Sequence, residues 1–240
     1  MKKGLVVITG ASAGIGQATA RAFSKAGYPL LLIARRLSKL KELQLPNVHC
    51  AEADVTDLSS FRAALKAAEE KFGEAEYLIN NAGVLFAGLA NEQDPGDWQK
   101  MIDVNISGVL NGIHLVLDKM KQRRTGTIVN IGSVAGRKTF PSLAVYCATK
   151  FAVHALTEGI REEMADHNVR LMTVAPGNVK TDIWEQAVAE EMKSQYSSYT
   201  RETHEELNPE DIARAILFAC EQPQNMCIRE MVICATRQVV

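Results

Sequence analysis

Seven short runs rich in Val, Ile and Leu, separated by longer segments of helical period, restrict this chain to few architectures. The runs are Leu5–Ile8, Leu30–Ile33, Val48–Cys50, Tyr77–Ile79, Thr127–Ile131, Arg170–Val174 and Met231–Cys234. A strand with one wet face alternates apolar and polar residues, whereas nearly continuous apolar runs suit strands covered on both faces, as in a parallel sheet. The intervening helical segments are Ile15–Ala26, Leu58–Phe72, Trp98–Lys121, Val145–Ala165 and Glu210–Glu221. The last has a strong start, with Asn208 as cap, Pro209 at the first helical position and two acids in the first turn. Strand and helix alternating over the whole length predict a doubly wound α/β sheet. With no linker, repeat or low-complexity tract, residues 1–240 read as a single domain.

One stretch breaks the alternation. Residues 177–207 are polar, acidic and helix-prone, match no strand, and carry Trp184, Tyr196 and Tyr199. Long excursions between core elements often serve as binding loops or lids, and a substrate lid is expected here. A content of 47% hydrophobic and 23% charged residues rules out a disordered, collagenous or disulfide-dense chain. Lys+Arg 27 against Asp+Glu 28 leaves a net charge of −1. That balance makes neither nucleic acid nor an anionic membrane surface an expected partner. No window approaches the roughly 20 apolar residues of a membrane span. After Lys2 and Lys3 the apolar core is only Leu5–Ile8, too short for a signal peptide. The five cysteines form no C-x-x-C pair, and a reduced, cytoplasmic chain is expected.

The first run leads into Thr9-Gly10-Ala11-Ser12-Ala13-Gly14-Ile15-Gly16 and then a helix. Gly10 permits the tight turn, Gly14 lets backbone approach a pyrophosphate, and Gly16 lets the helix sit close to the sheet. The helix N-terminus then offers free N–H groups and partial positive charge to the anion. The spacing is G-x-x-x-G-x-G, and its position between strand and helix points to a dinucleotide site. At the end of the second run, an acid would bind the ribose 2′-hydroxyl of NAD, but the residue is Ala34. Arg35 and Arg36 follow it and suit a 2′-phosphate, hence NADP.

Tyr146 and Lys150 lie four apart, on one face of a helix. A free phenol titrates at about 10, too high for an efficient base at neutral pH. A neighbouring ammonium favours the phenolate and lowers that value. Three other places support the pair. Ser133 follows the run Thr127–Ile131, and Asn80-Asn81-Ala82-Gly83 follows another, both at the sheet edge where α/β sites lie. Asn105 falls inside the segment Trp98–Lys121, where a poor helix former needs either solvent or a task.

These elements together, with Asp54-Val55 and Pro176-Gly177 plus Thr181, resemble the short-chain dehydrogenase/reductase family in its compact form. The likeness runs in the family's order from residue 9 to 181 and extends through the end strands. It implies a Rossmann-like three-layer α/β/α sandwich whose seven-stranded parallel sheet has the order 3-2-1-4-5-6-7. It implies NADP(H)-dependent interconversion of a carbonyl and its alcohol. Tyr146 would be the general acid/base, with Lys150 lowering its pKa and holding the nicotinamide ribose. Ser133 would orient the substrate oxygen, and Asn105 would hold a water of the proton relay. The resemblance also places Ser12 and Ile15 at the cofactor, and Asp54 and Val55 beside the adenine. Asn81, Ala82 and Gly83 fall on the adenosine-ribose side, and Pro176, Gly177, Val179 and Thr181 toward the nicotinamide. A homotetramer is implied, paired through the segments Trp98–Lys121 and Val145–Ala165.

Other signals fail. His204-Glu205-Glu206-Leu207-Asn208 lacks the second histidine of a zinc-protease motif, and Gly132–Gly136 has Ile131 where a nucleophile elbow needs glycine. No metal site is expected. The substrate is open. Arg137 and the 228–233 region are similar to family members acting on short 3-hydroxy acids, and structural ion pairing of the arginine is the competing reading. Two alternatives stand beside the main one: an NAD-preferring dehydrogenase, and a catalytically silent nucleotide sensor, against which the intact Ser133, Tyr146 and Lys150 set argues.

Overall fold

The computed structural model describes residues 3–184 and 206–239. The seven runs become β1 (Leu5–Thr9), β2 (Leu30–Ala34), β3 (Val48–Glu52), β4 (Ala75–Asn80), β5 (Thr127–Ile131), β6 (Arg170–Pro176) and β7 (Glu230–Ile233). All pair in parallel, in the expected order β3-β2-β1-β4-β5-β6-β7. The α-helices among the described residues are α1 (Gly14–Lys25), α2 (Leu37–Lys41), α3 (Leu58–Phe72), α4 (Pro95–Ile102), α5 (Gly108–Arg123), α6 (Ala144–Met164) and α7 (Pro209–Cys220).

Side chains alternate across the strands and build a core on each face. Leu5, Val7, Leu31, Ile33 and Ile128 meet Phe61 and Leu65 of α3, Val109 and Ile113 of α5, and Val153 of α6. Val6, Ile8, Leu30, Leu32 and Val129 meet Phe23 of α1, Leu40 of α2, and Ile212 and Ile216 of α7. Covering both faces is why β1 and β2 are buried at every position.

Two segments differ from the sequence reading. Trp98–Lys121 is not one regular helix: α4 and α5 are joined by a π-helical turn, Asp103–Ser107, centred on Asn105. Such turns commonly mark functional sites. The excursion 177–207, expected to hold no strand, is pinned at its ends by a parallel bridge between Val179 and Leu207. Lys180 N donates to Leu207 O at 2.9 Å and Leu207 N to Asn178 O at 2.9 Å. Most of the expected lid, with Tyr196 and Tyr199, lies outside the described residues. Among the described residues no helix is long and apolar enough to cross a membrane.

Candidate active site

In this strand order β1 lies between β2 and β4, so the chain leaves β1 to one side and returns on the other. That reversal opens a crevice at the carboxyl ends of the strands. A cavity of about 1260 Å³ runs along those ends. It has a glycine-turn end, a middle floored by β4 and β5, and an apolar end.

At the first end the glycines allow a close turn. Gly10 and Gly14 hold φ of +64° and +52°, which L side chains rarely adopt. A Cβ would fall 2.8 Å from Ala82 Cα at Gly10 and 2.9 Å from Thr181 Cγ2 at Gly14. At Gly16 it would fall 2.4 Å from Gly10 O, so Gly16 acts behind the turn rather than on the cavity wall. Ala13 caps α1 without a side-chain acceptor, and the first turn holds no acid. Ser12, Gly14 and Ile15 line the cavity there, so this end offers N–H groups and positive potential to a phosphate. Arg35 and Arg36 are exposed on the rim, and Arg36 Nη2 donates to Ser12 Oγ at 3.3 Å. Asp54 and Val55 also line this end. The Asp54 carboxylate is tied to its own turn, accepting from Thr56 N at 2.9 Å and Thr56 Oγ1 at 2.8 Å. The residues present fit an adenosine 2′-phosphate next to a pyrophosphate.

The middle is held by a network that the sequence only partly shows. Thr9 Oγ1 accepts from Asn81 N and Ala82 N, both at 3.0 Å, and Asn81 Nδ2 donates back to Thr9 O at 2.9 Å. This clasp presents Asn81, Ala82 and Gly83 to the cavity. Under it, Asn80 Nδ2 donates to Asn130 Oδ1 at 2.8 Å, and Asn130 Nδ2 to Thr157 Oγ1 at 2.9 Å. A polar residue at position 130, inside an apolar run, was the one sequence signal for that chain. Asn105 does not line the cavity. Its Oδ1 accepts from Val84 N at 2.8 Å, while Nδ2 donates to Val84 O at 2.9 Å and to Thr149 Oγ1 at 3.1 Å. The amide thus ties the loop after β4 to α6, which accounts for an asparagine inside this helical stretch.

Ser133, Tyr146 and Lys150 converge on the cavity from β5 and α6. Ser133 caps a 3₁₀ turn, Val134–Gly136, and its Oγ accepts from Ala135 N at 3.0 Å. Burial pushes the Tyr146 phenol up to about 12, and a hydrogen bond with the Ser133 hydroxyl works the other way. Lys150 Nζ lies 5.8 Å from the Tyr146 ring centre and donates to Ile131 O at 2.8 Å. Burial pulls this ammonium down to about 8. Burial thus sets the phenol above its ordinary value.

Pro176, Gly177, Val179 and Thr181 line the wall opposite. Beyond them the cavity becomes apolar, with Phe86, Phe140, Leu143, Ile183 and Trp184 on a small third core around Tyr146. Arg137 does not line the cavity; it is ion-paired with Glu230. Among the described residues no cluster of His, Cys, Asp and Glu could hold a metal ion.

Known proteins are similar to this chain in sequence and fold. An uncharacterized oxidoreductase of Staphylococcus saprophyticus is 39% identical over 239 residues, covering 97% of this chain and 96% of the relative. A closed form of serine dehydrogenase, solved with NADP+, superposes with a TM-score of 0.90 at 27% identity, over 98% of this chain and 96% of that one. An alcohol dehydrogenase of Thermococcus sibiricus, solved with 5-hydroxy-NADP, gives 0.87 at 28% identity, over 100% and 99%. The profile of the short chain dehydrogenases matches residues 4–192, spanning the glycine turn, the Asn81 clasp and the Ser133, Tyr146 and Lys150 convergence, so the chain belongs to the short-chain dehydrogenase family.

Proposed function

We propose that this chain, as one domain, binds NADP(H) and interconverts a carbonyl compound and its alcohol, with Tyr146 as the general acid/base. The observation that carries this reading is the convergence of the buried Tyr146 phenol with Ser133 and Lys150 on the cavity wall. When bound, the nicotinamide supplies or accepts the hydride. The Ser133 and Tyr146 hydroxyls hold the substrate oxygen between them. A phenol raised to about 12 is protonated at neutral pH, so in the reductive direction it gives its proton to the developing alkoxide. The Lys150 ammonium then faces the phenolate that remains and stabilises it. Lys150 would also hold the ribose of the nicotinamide half, and Asn105 braces the loop that carries Asn81, Ala82 and Gly83.

Neutral aldehydes and ketones with an apolar substituent suit the described lining of the substrate end, which has aromatic and branched side chains. A short 3-hydroxy acid is the second reading, favoured by the likeness to serine dehydrogenase. Arg137 would not serve its carboxylate, being occupied by Glu230. The active form is a homotetramer working in the cytoplasm. Ile102, Leu110 and Phe151 on α4, α5 and α6 are exposed apolar side chains that an isologous contact would cover. All five cysteines are free, in keeping with a reducing compartment.

The test is NADPH consumption across a panel of neutral and charged carbonyl compounds, by the unmutated chain and by Tyr146→Phe. A general acid contributes about 10² to 10⁴-fold, so the variant loses at least about a hundredfold in kcat while its NADPH affinity stays within about threefold. A smaller than tenfold loss refutes the role of Tyr146. Tight NADPH binding without turnover of any compound leaves a nucleotide sensor.

A further inference from the structure

Behind Ser133 lies a partly buried side chain that none of these steps uses. His154 sits one turn beyond Lys150 on α6, and its ring fills a slot made by two glycines. A Cβ at Gly132 would fall 2.3 Å from His154 Nε2, and one at Gly136 2.6 Å from it. These glycines flank Ser133 and close its 3₁₀ turn, so a side chain at either would evict the ring. Nε2 accepts a long hydrogen bond from Ser133 N at 3.4 Å. Nδ1 lies 3.2 Å from Glu230 Oε1 on β7, and the other Glu230 oxygen holds Arg137, the residue that ends the turn. The imidazole is therefore joined to the start of the turn directly and to its end through Glu230.

We propose that His154 is a positioning residue for the Ser133 hydroxyl, working as the neutral imidazole with its proton on Nδ1. The glycine slot alone would be filled as well by a phenyl ring. The acceptor nitrogen turned to the Ser133 N–H, and the carboxylate that fixes the tautomer, are what packing does not require. Protonation would put a second N–H on Nε2, opposite the Ser133 N–H, and two donors cannot share the contact. The charged groups facing the ring are Glu230 on β7, Arg137 after the turn and Lys150 on α6. Glu158, one turn further along α6, is taken up by Arg161 and Arg229. Burial holds His154 below its ordinary 6.5, Glu230 pulls it back up, and Lys150 and Arg137 add to the lowering. The contact is intact at neutral pH and is lost as pH falls through the His154 pKa.

The proposal rests on the role assigned to Ser133, so its test has an arm that needs no turnover. In ¹⁵N-labelled protein, the Ser133 amide and the His154 ring are followed through a pH titration. They should shift together, with a midpoint below 6.5. Glu230→Gln should move that midpoint down and Arg137→Met should move it up. With a confirmed substrate, His154→Phe fills the slot but accepts no hydrogen bond. It should lower kcat at least about fivefold, leave KM for NADPH within about twofold, and abolish the acid limb of the kcat profile that His154 sets. If His154→Phe does not fold, the acid limb of Glu230→Gln and of Arg137→Met decides, moving in opposite directions. A Ser133 amide indifferent to His154, limbs that move together, or kcat of His154→Phe within about twofold of the unmutated chain overturns the proposal. Failure of every carbonyl compound to react refutes the oxidoreductase reading instead, and the amide titration still decides the positioning.

Discussion

Replacing Arg36 by alanine should cost the chain most of its preference for NADPH over NADH. The phosphate that distinguishes the two cofactors carries about −1.5 to −2 charge at neutral pH. Ala34, at the end of β2, is buried and has no carboxylate to bind a free 2′-hydroxyl or to repel a phosphate. Arg35 and Arg36 stand on the rim, and both are exposed. A hydrogen bond to a charged group contributes roughly 1.5 to 3 kcal/mol when shielded, whereas exposed pairs contribute about 0.2 to 1. A guanidinium fork on a dianion at an exposed rim lies near the top of the exposed range, about 1 kcal/mol for each arginine. Together they give about 2 kcal/mol, a preference of roughly thirtyfold. Arg36 carries the larger part, because its bond to Ser12 already holds it toward the glycine turn and less side-chain freedom is lost on binding. Arg36→Ala should therefore reduce the ratio of kcat/KM values about five- to tenfold. Ala34→Asp should turn the preference toward NADH. Screening lengths shrink from about 10 Å at 0.1 M to about 3 Å at 1 M salt, so the ratio should also fall between those concentrations. The assay is steady-state kcat/KM with both cofactors at low and high salt. Equal or better values with NADH in the unmutated chain, or a ratio in Arg36→Ala within twofold of the original, would refute the reasoning.

Lys150 titrates at about 8 in the folded chain against 10.5 unfolded. The unfolded state then holds the extra proton between those values, and folding gains stability as pH rises through that window. Relative to Lys150→Met, the unmutated chain should gain roughly 2 kcal/mol between pH 8 and pH 10 in urea unfolding; parallel curves would contradict this. Arg170, at the amino end of β6, is 3% exposed, and its guanidinium donates to Thr127 Oγ1 and to the carbonyls of Cys220, Gln222, Pro223 and Met226. Arg170→Met orphans these carbonyls and should cost about 3 to 5 kcal/mol in denaturant unfolding, with unchanged NADPH affinity because the cavity lies at the other end of the strands. Light scattering should return four copies of the 26.3 kDa chain, and Phe151→Glu should return fewer. A mass of one copy for the unmutated chain would reject the assembly.

The strands were legible because their burial on both faces writes itself as continuous apolar runs, and the glycine turn because its demands are local. What escaped depends on partners far along the chain. The π-turn at Asp103–Ser107 cannot be read from its own residues: the Asn105 amide that it carries is satisfied by Val84 and Thr149, 21 and 44 positions away. His154 reads as one more residue on a helix face until Glu230, on the edge strand, and the two glycines around Ser133 are folded against it. Arg137 was open to two readings, and only the position of β7 decides for the ion pair. The burial of the Tyr146 phenol is hidden for the same reason. Sequence spacing reveals the ammonium four residues on, while desolvation comes from the apolar cluster of Leu85, Met101, Ala135 and Cys147, drawn from four separate segments.

That burial also bears on the protonation state of the Tyr146 and Lys150 pair. With the phenol at about 12 and the ammonium at about 8, the first proton to leave on raising the pH belongs to Lys150, not to Tyr146. At neutral pH the pair is a neutral phenol beside a cation, which is a proton donor with its counter-charge already in place. Donation to an alkoxide turns an isolated buried cation into a cation–phenolate pair, so the same low-polarity surroundings that disfavour Lys150 alone strengthen its attraction to the product of the step. That attraction offsets only part of the cost of burying the phenolate, because the Tyr146 pKa stays above its ordinary value. Oxidation starts from the costlier phenolate and leans on Ser133, whose hydrogen bond is the one contact found to lower the Tyr146 pKa. In either direction the same transition state is crossed, so under the proposal above a loss of the His154 contact behind Ser133 would lower the reductive and the oxidative rate together.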